Sequence, residues 1–315
     1  MTARREPLLV IAGPTGAGKT AVAVALARRL PLEVISADSR QVYRGMDAAT
    51  GKPTPAERQA AVHHLIDVVD PDDRYHAARF RGEAEGAIAA VRARGRLPVV
   101  VGGTGLYIRA LLRGLDPAPP ADPDFRRELA GVAAIQGRAA LHARLAAAEP
   151  ALARRLHPND EVRVVRALER LRAGSAVGEA QVRWRAPDAP WRVTYIGLTL
   201  DRALLARRLA ARAEEMVAAG LAEEVRRLLR RGYGPALPAM QGIGYRQFVE
   251  VAAGRLDPAR ALGLMQRDTV RYARRQLTWF AREPDIEWID VDAAGGVEAV
   301  AAAIESRMNR EGNSE

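Results

Sequence analysis

The sequence predicts an α/β protein, a doubly wound parallel sheet with an all-helical domain inserted into it, and three observations carry the prediction. Short apolar runs alternate with longer segments of helical period, the pattern of parallel strands joined by crossover helices. The first run leads into a glycine loop, Gly13-x4-Gly18-Lys19-Thr20, which opens an amphipathic stretch, "TAVAVALARRL". Between two proline-rich breaks, "GLDPAPPADPD" (114–124) and "RAPDAPWR" (185–192), the chain from Phe125 to about Gly174 is helical in period with no strand candidate.

Taken in order, strands are expected at Leu8–Ala12, Glu33–Ala37, His64–Val69, Pro98–Gly102, Val193–Leu200 and Ile286–Val291. Helices follow from near Gly18, Ala77 and Gly105. Residues 1–120 and 191–315 then form a catalytic core and 121–190 a helical insert; an independent lobe is the other reading of the same stretch. With 315 residues and 48 % hydrophobic content the chain is long and apolar enough for a real core. No stretch approaches the roughly 18 consecutive apolar residues of a spanning helix. The run at Leu8–Ala12 enters the glycine loop instead of a cleavage site, so a cytoplasmic protein with no membrane partner is expected.

Chemistry is bounded next. The absence of cysteine excludes disulfides, thiolate zinc sites and cysteine nucleophiles. A net charge of +10 favours an anionic partner, although all but two of the 48 Lys and Arg residues are arginine, which in an Ala/Arg-rich chain is partly coding bias. Location is more informative than the total. Residues 201–282 hold 16 arginines against 8 acids, and residues 121–190 only 12 against 9. In "QRDTVRYARRQLTWFAR", Arg267, Arg271, Arg274, Arg275, Thr278 and Arg282 fall within an arc of about 100°, and such a stripe repels itself unless a phosphate backbone lies against it. An ordinary solvated face is the plainer reading.

The glycine loop is the phosphate-loop (P-loop) motif in its required setting. Gly13, Pro14, Thr15, Gly16, Ala17 and Gly18 bend the backbone so that N–H groups point inward, Lys19 adds a point charge, and the Thr20 hydroxyl can hold Mg²⁺. Alone, it reads as nucleotide-binding, for ATP or GTP. In nucleotide hydrolases a later strand ends in an acid that helps hold the metal. Here the best-placed strand, "LPVVVGGTGLY", ends in Gly102-Gly103-Thr104. A carboxylate stands at the end of the second strand instead, Asp38 in "EVISADSRQVYRGMD", and both Asp38 and Thr104 lie at the carboxyl ends of strands, where ligands bind. A helix cap is the alternative for each. "QGIGYR" (Gln241–Arg246) reads as a glycine turn into a helix, with Tyr245 packing or stacking on a base. "NDEVRVVRALERL" reads as an Asn159 cap before a helix exposing Arg163 and Arg166. His63 and His64 open a strand with no carboxylate at ligand spacing and are read as structural.

Together, "GPTGAGKT", "ISADSRQVYRGMDAATGKP", "HHLIDVVDP", "VVVGGTGLYIRAL", "HPNDEVRVVRALE", "QGIGYRQ" and "RRQLTWF" resemble, in order and spacing, the bacterial tRNA dimethylallyltransferases, also called tRNA isopentenyltransferases. The resemblance runs from Leu8 to about Trp288. It implies that residues 13–20 hold the diphosphate of dimethylallyl diphosphate, with Mg²⁺ on Thr20, and that the five-carbon group moves to N6 of the adenine 3′ to the anticodon. Asp38 would be the general base, Thr104 would position the adenine, and Lys19 with a further arginine, assigned to Arg212 over Arg207 and Arg208, would neutralise the diphosphate. The adenine would have to leave its stack to reach Asp38. The anticodon stem-loop of the tRNA would be held by Asp38, Ser39, Arg40, Gln41, Thr104, Gln241, Gly244, Tyr245, Arg246, Arg271, Arg274, Arg275, Gln276, Thr278 and Trp279, and by Arg163 and Arg166 of the insert. A monomer is expected. Three positions depart from the usual pattern: Ala17 where relatives often have Ser, Arg40 where many have Met, and Ala281 where many have Arg directly after "TWF". Two competing readings are a small-molecule kinase with a lid-like insert, against which the missing acid and the arginine stripe count, and an RNA-binding P-loop switch, which leaves Asp38 without a role.

Overall fold

The computed structural model describes residues 5–115, 119, 122–174 and 191–313. Six parallel strands form one sheet: β1 (Glu6–Ala12), β2 (Leu32–Ser36), β3 (His63–His64), β4 (Leu97–Gly102), β5 (Trp191–Thr199) and β6 (Glu287–Asp290), in the order β3-β2-β4-β1-β5-β6. β1 is central, so the chain reverses direction across the sheet on either side of it. That reversal opens a crevice at the carboxyl ends of β1 and its neighbours.

Each central strand is a nearly continuous apolar run because both faces are covered. The period-two alternation sorts its side chains into two layers. Leu9 and Ile11 pack with Val99, Val101, Ile196 and Leu198 on one face, under α1 (Lys19–Ala27). Leu8, Val10 and Ala12 pack with Ile35, Val100 and Tyr195 on the other, where Phe80 and Ile88 of α3 (Ala77–Ala93) and Ile108 of α4 (Gly105–Arg113) close the layer. The short α2 (Pro55–Ala60) lies between β2 and β3 in the chain and is started by a capping box, Thr54 accepting from Glu57 N–H and Glu57 accepting from Thr54 N–H.

The chain divides into two compact units, Met1–Leu112 with Asp188–Glu315, and Arg113–Pro187. Within the second lie α5 (Pro123–Gln136), α6 (Arg138–Ala148), α7 (Pro150–Ala153) and α8 (Glu161–Arg172), packed through Leu129, Leu141, Leu145, Leu152, Val164 and Leu168. Buried Glu169 ties this unit together, accepting from Arg126, Arg166 and the Asp122 N–H. Of the two proline-rich breaks, only 114, 115, 119 and 122–124 of the first and 191–192 of the second belong to the described residues.

After β5 the first unit continues with α9 (Arg202–Ala218), α10 (Leu221–Arg230), α11 (Tyr245–Ala252), α12 (Pro258–Phe280) and, beyond β6, α13 (Val297–Asn313). α12 belongs to both layers: Val270 and Ala273 join the first face of the sheet, Trp279 and Phe280 the second. It therefore runs across the strand ends that open the crevice. Among the described residues no helix is long and apolar enough to cross a membrane.

Two local expectations fail. The strand foreseen at His64–Val69 shrinks to His63–His64, because Leu65 and Asp67 take positive φ (62° and 59°), which breaks the pleat. Asp67 holds that conformation by accepting from the nearly buried Lys52 ammonium and from Arg58, and pairing resumes only as a single bridge between Val69 and Tyr43. At the start of α8 the cap is Asp160, whose carboxylate accepts from Arg163 N–H, while Asn159 bonds the ring of His157 through its backbone.

Candidate active site

The phosphate loop joins β1 to α1, and its shape depends on positive φ at Gly13 (142°), Gly16 (82°) and Gly18 (87°), which side chains rarely tolerate. Lys19 begins α1, and its ammonium donates to Pro14 O at 2.7 Å, arching back over the loop. Ala17 is buried and makes an N–H bond to Pro14 O, so the residue that departs from the family's usual Ser packs inward. The loop faces a cavity of about 670 Å³ whose walls include Lys19, Thr20, Asp38, Gly51, Arg212, Tyr272 and Arg275.

The charges in this cavity are set against one another. Burial lowers the Lys19 ammonium to about 8, Asp38 opposes that shift, and the Arg212 guanidinium adds to it. Arg212 projects from α9 and its guanidinium lies directly against Gly51, which takes a φ of 63°. Arg208 also reaches the cavity wall, but Arg212 is the arginine that acts on Lys19.

Asp38 follows β2. Its Oδ1 accepts from Arg40 N–H at 2.8 Å and from Gln41 N–H at 3.4 Å, an Asx turn that fixes the carboxyl at the cavity wall. Thr104, beyond β4, accepts from Ser39 N–H at 3.0 Å and donates to Ser39 Oγ at 3.3 Å, tying the ends of β2 and β4 together. Tyr272 of α12 lines the same cavity, and burial, reinforced by the Asp38 charge, pushes its hydroxyl up to about 12. Tyr272 lines the cavity although it lies outside the arginine arc of its helix, one turn from Gln276, which also lines it.

Several residues assigned to RNA are also engaged within the scaffold. Gln41 accepts from Ser36 Oγ and donates to Gly51 O, so both ends of its amide are used. Tyr245 is buried, its hydroxyl donating to Glu224 at 2.6 Å, which decides between packing and stacking in favour of packing. Glu224 also accepts from the N–H groups of Asp47 and Ala48. Gln276 is buried, accepting from Thr15 N–H at 2.9 Å and donating to Gly103 O at 2.8 Å. Trp279 packs on Gly105 with the Arg109 guanidinium 4.2 Å above its ring. Arg166 is held by Glu169 and by Pro119 O, leaving Arg163 as the exposed arginine of that pair.

The remaining assignments divide between cavity wall and surface. Arg40 lines the cavity and donates to Pro238 O, Gln241 lines it and donates to Pro235 O, and Arg246 lines it while paired with Asp268 at 2.6 Å. Gly244, at φ 91°, donates to Gln247 and lies against Ala49. Arg271, Arg274, Arg275 and Thr278 are exposed along one face of α12, as the helical period implied. His64 pairs with Glu33 at 2.6 Å and the His63 ring lies 2.7 Å from Ala61 O, in keeping with structural histidines. Among the described residues no three His, Asp or Glu side chains converge on a metal position.

Fold and site thus define an α/β phosphate-loop enzyme whose glycine loop shares a cavity with the fixed carboxylate of Asp38. The family model described as IPP transferase matches residues 41–283, and one described as isopentenyl transferase matches residues 7–68. Relatives include tRNA dimethylallyltransferase 1 of Syntrophotalea carbinolica, 48% identical over 91% of this chain and 92% of its own, and the tRNA dimethylallyltransferase of an Anaeromyxobacter species, 51% identical over 90% and 94%. The crystal structure of the full-length tRNA isopentenylpyrophosphate transferase of Bacillus halodurans superposes with a TM-score of 0.71 at 36% identity, covering 98% of both chains. The chain belongs to the IPP transferase family of tRNA dimethylallyltransferases.

Proposed function

We propose that the protein transfers the dimethylallyl group of dimethylallyl diphosphate to N6 of the adenine 3′ to the anticodon in tRNA and releases diphosphate, with Asp38 as general base. The observation that carries this reading is that Lys19, Arg212, residues of the phosphate loop and Asp38 line one cavity, with Lys19 under the charges of both Asp38 and Arg212. The breaking bond is the allylic C–O bond and the forming bond is C–N. Negative charge accumulates on the departing diphosphate, where Lys19, Arg212 and the inward N–H groups are already aimed. The exocyclic amine of adenine is a poor nucleophile because its lone pair is delocalised into the ring. Asp38, held by its Asx turn, takes the proton as the C–N bond forms.

Mg²⁺ fits this site through the Thr20 hydroxyl at the cavity wall, with diphosphate oxygens as its remaining anionic ligands, since the described residues supply no carboxylate cluster of their own. Bound there, it would supply charge neutralisation for the leaving group. Thr104 and Ser39, bonded to each other, offer hydroxyls beside Asp38 to orient the adenine. The exposed Arg271, Arg274, Arg275 and Thr278 of α12 suit the phosphates of an anticodon stem-loop, and Arg163 offers one more contact from the helical unit.

Competition between donors tests the ligand assignment. A non-hydrolysable thio analogue of dimethylallyl diphosphate, in the presence of Mg²⁺, is expected to displace labelled inorganic diphosphate at concentrations at least tenfold below those needed for ATP. Preferential displacement by ATP would favour the kinase reading.

A further inference from the structure

One side chain physically joins the helix read as the RNA-docking element to the loop read as the diphosphate cradle. Gln276 stands on the inner face of α12, flanked in sequence by the exposed Arg274, Arg275 and Thr278. Its carbonyl oxygen accepts from the N–H of Thr15, in the first limb of the phosphate loop, at 2.9 Å. Its amide nitrogen donates to Gly103 O, just past β4, at 2.8 Å. Residue 103 must be glycine for this approach, because a Cβ there would run into the Gln276 amide. Both polar ends of a buried side chain are thus spent on the two backbone segments that frame the cavity, one leading into the cradle and the other leading to Thr104.

We propose that Gln276 is a positioning residue that couples RNA docking on the outer face of α12 to the affinity of the phosphate loop for diphosphate. The proposal rests on the function proposed above. RNA phosphates held by Arg271, Arg274 and Arg275 restrict the motion of α12, and a helix transmits that restraint as a unit. Through Gln276 the restraint reaches Thr15 and Gly103 and holds the loop in its binding shape, so diphosphate pays less ordering cost when RNA is already bound. Because coupling between two equilibria is reciprocal, diphosphate tightens RNA by the same factor. Packing alone does not explain the choice of residue here. A buried amide could be replaced by an apolar side chain if its partners were dispensable, whereas Gln276 pairs the buried Gly103 carbonyl and the N–H of Thr15 at the cavity wall.

The test measures binding of inorganic diphosphate with Mg²⁺ by calorimetry, without and with a saturating anticodon stem-loop RNA bearing unmodified adenosine 3′ to the anticodon. The native protein is expected to bind diphosphate at least about fivefold more tightly in the presence of RNA, within the range typical of coupled sites. Gln276→Met, which keeps length and apolar volume, and Gln276→Glu, which keeps the acceptor but not the donor, should reduce that factor to within twofold of unity. Each should still bind RNA alone as the native protein does. A native factor of one overturns the proposal without touching the function reading. An unchanged factor in either folded variant overturns it as well, and a general loss of stability in one variant leaves the native measurement and the other variant to decide. Failure of the native protein to bind either ligand would instead defeat the function reading.

Discussion

In the proposed reaction Lys19 and Asp38 carry the chemistry, and each makes a claim that can be checked singly. The burial that lowers the Lys19 ammonium to about 8 means that its charge is present in the free enzyme at neutral pH and lost as the pH climbs through that value. Affinity of the free protein for inorganic diphosphate should therefore fall as pH rises from about 7 to 9, and Lys19→Gln should bind weakly with a nearly flat profile over that range. A profile as steep as the native one in Lys19→Gln would place the titration elsewhere. Replacing Asp38 by Asn preserves shape and removes the base. Transfer to RNA is expected to drop about 10²–10⁴-fold, the usual share of general-base catalysis, with RNA affinity within a few-fold of native in a filter-binding assay. Arg212→Ala should raise the half-saturating donor concentration far more than Arg207→Ala, because only Arg212 of this pair lines the cavity and faces Lys19.

At the scale of elements, the strands and the loop were legible because their signals are local: an apolar run, three glycines at fixed spacing, a lysine at the start of a helix. The stripe on α12 was legible for the same reason, since a period of 3.6 residues sorts outward from inward positions without any partner. What sequence periodicity leaves open is which polar residues on the inner side meet backbone. Gln276, Tyr245 and Trp279 sit in recognisable motifs, yet their roles depend on Thr15, Glu224 and Gly105, which are distant in sequence. The third strand failed for a different reason, because Lys52 and Arg58 capture Asp67 and hold a positive φ that strand propensity cannot anticipate. Two measurements address elements. Glu224→Ala leaves the Tyr245 hydroxyl and the N–H groups of Asp47 and Ala48 unpaired in a closed interface and should lower the unfolding free energy by about 3–5 kcal/mol in denaturant titration. Arg271→Ala with Arg275→Ala should weaken RNA binding and reduce the magnitude of its logarithmic salt slope by about 1–2, the loss of one or two phosphate contacts; an unchanged slope would show that this face of α12 does not meet RNA.

For the whole molecule, the strand order places the loop after β1, Asp38 after β2 and Thr104 after β4 at one edge of a single sheet, and α12 crosses that edge. A scaffold usually associated with nucleotides thereby places its glycine loop beside a carboxylate, while the strand that would carry a metal-holding acid ends in Gly102, against Ala37, and is followed by Gly103, against Gln276 of α12. In the proposed reaction, leaving-group stabilisation and amine activation share one cavity, which Arg275 of α12 also lines. The most direct measurement of this account is mass analysis of an unmodified tRNA, with adenosine 3′ to its anticodon, after incubation with the purified protein, Mg²⁺ and dimethylallyl diphosphate. One five-carbon unit per RNA, located on N6 of that adenosine and missing from the Asp38→Asn reaction, is the predicted result. Turnover of ATP by the same preparation with no gain in RNA mass would contradict it.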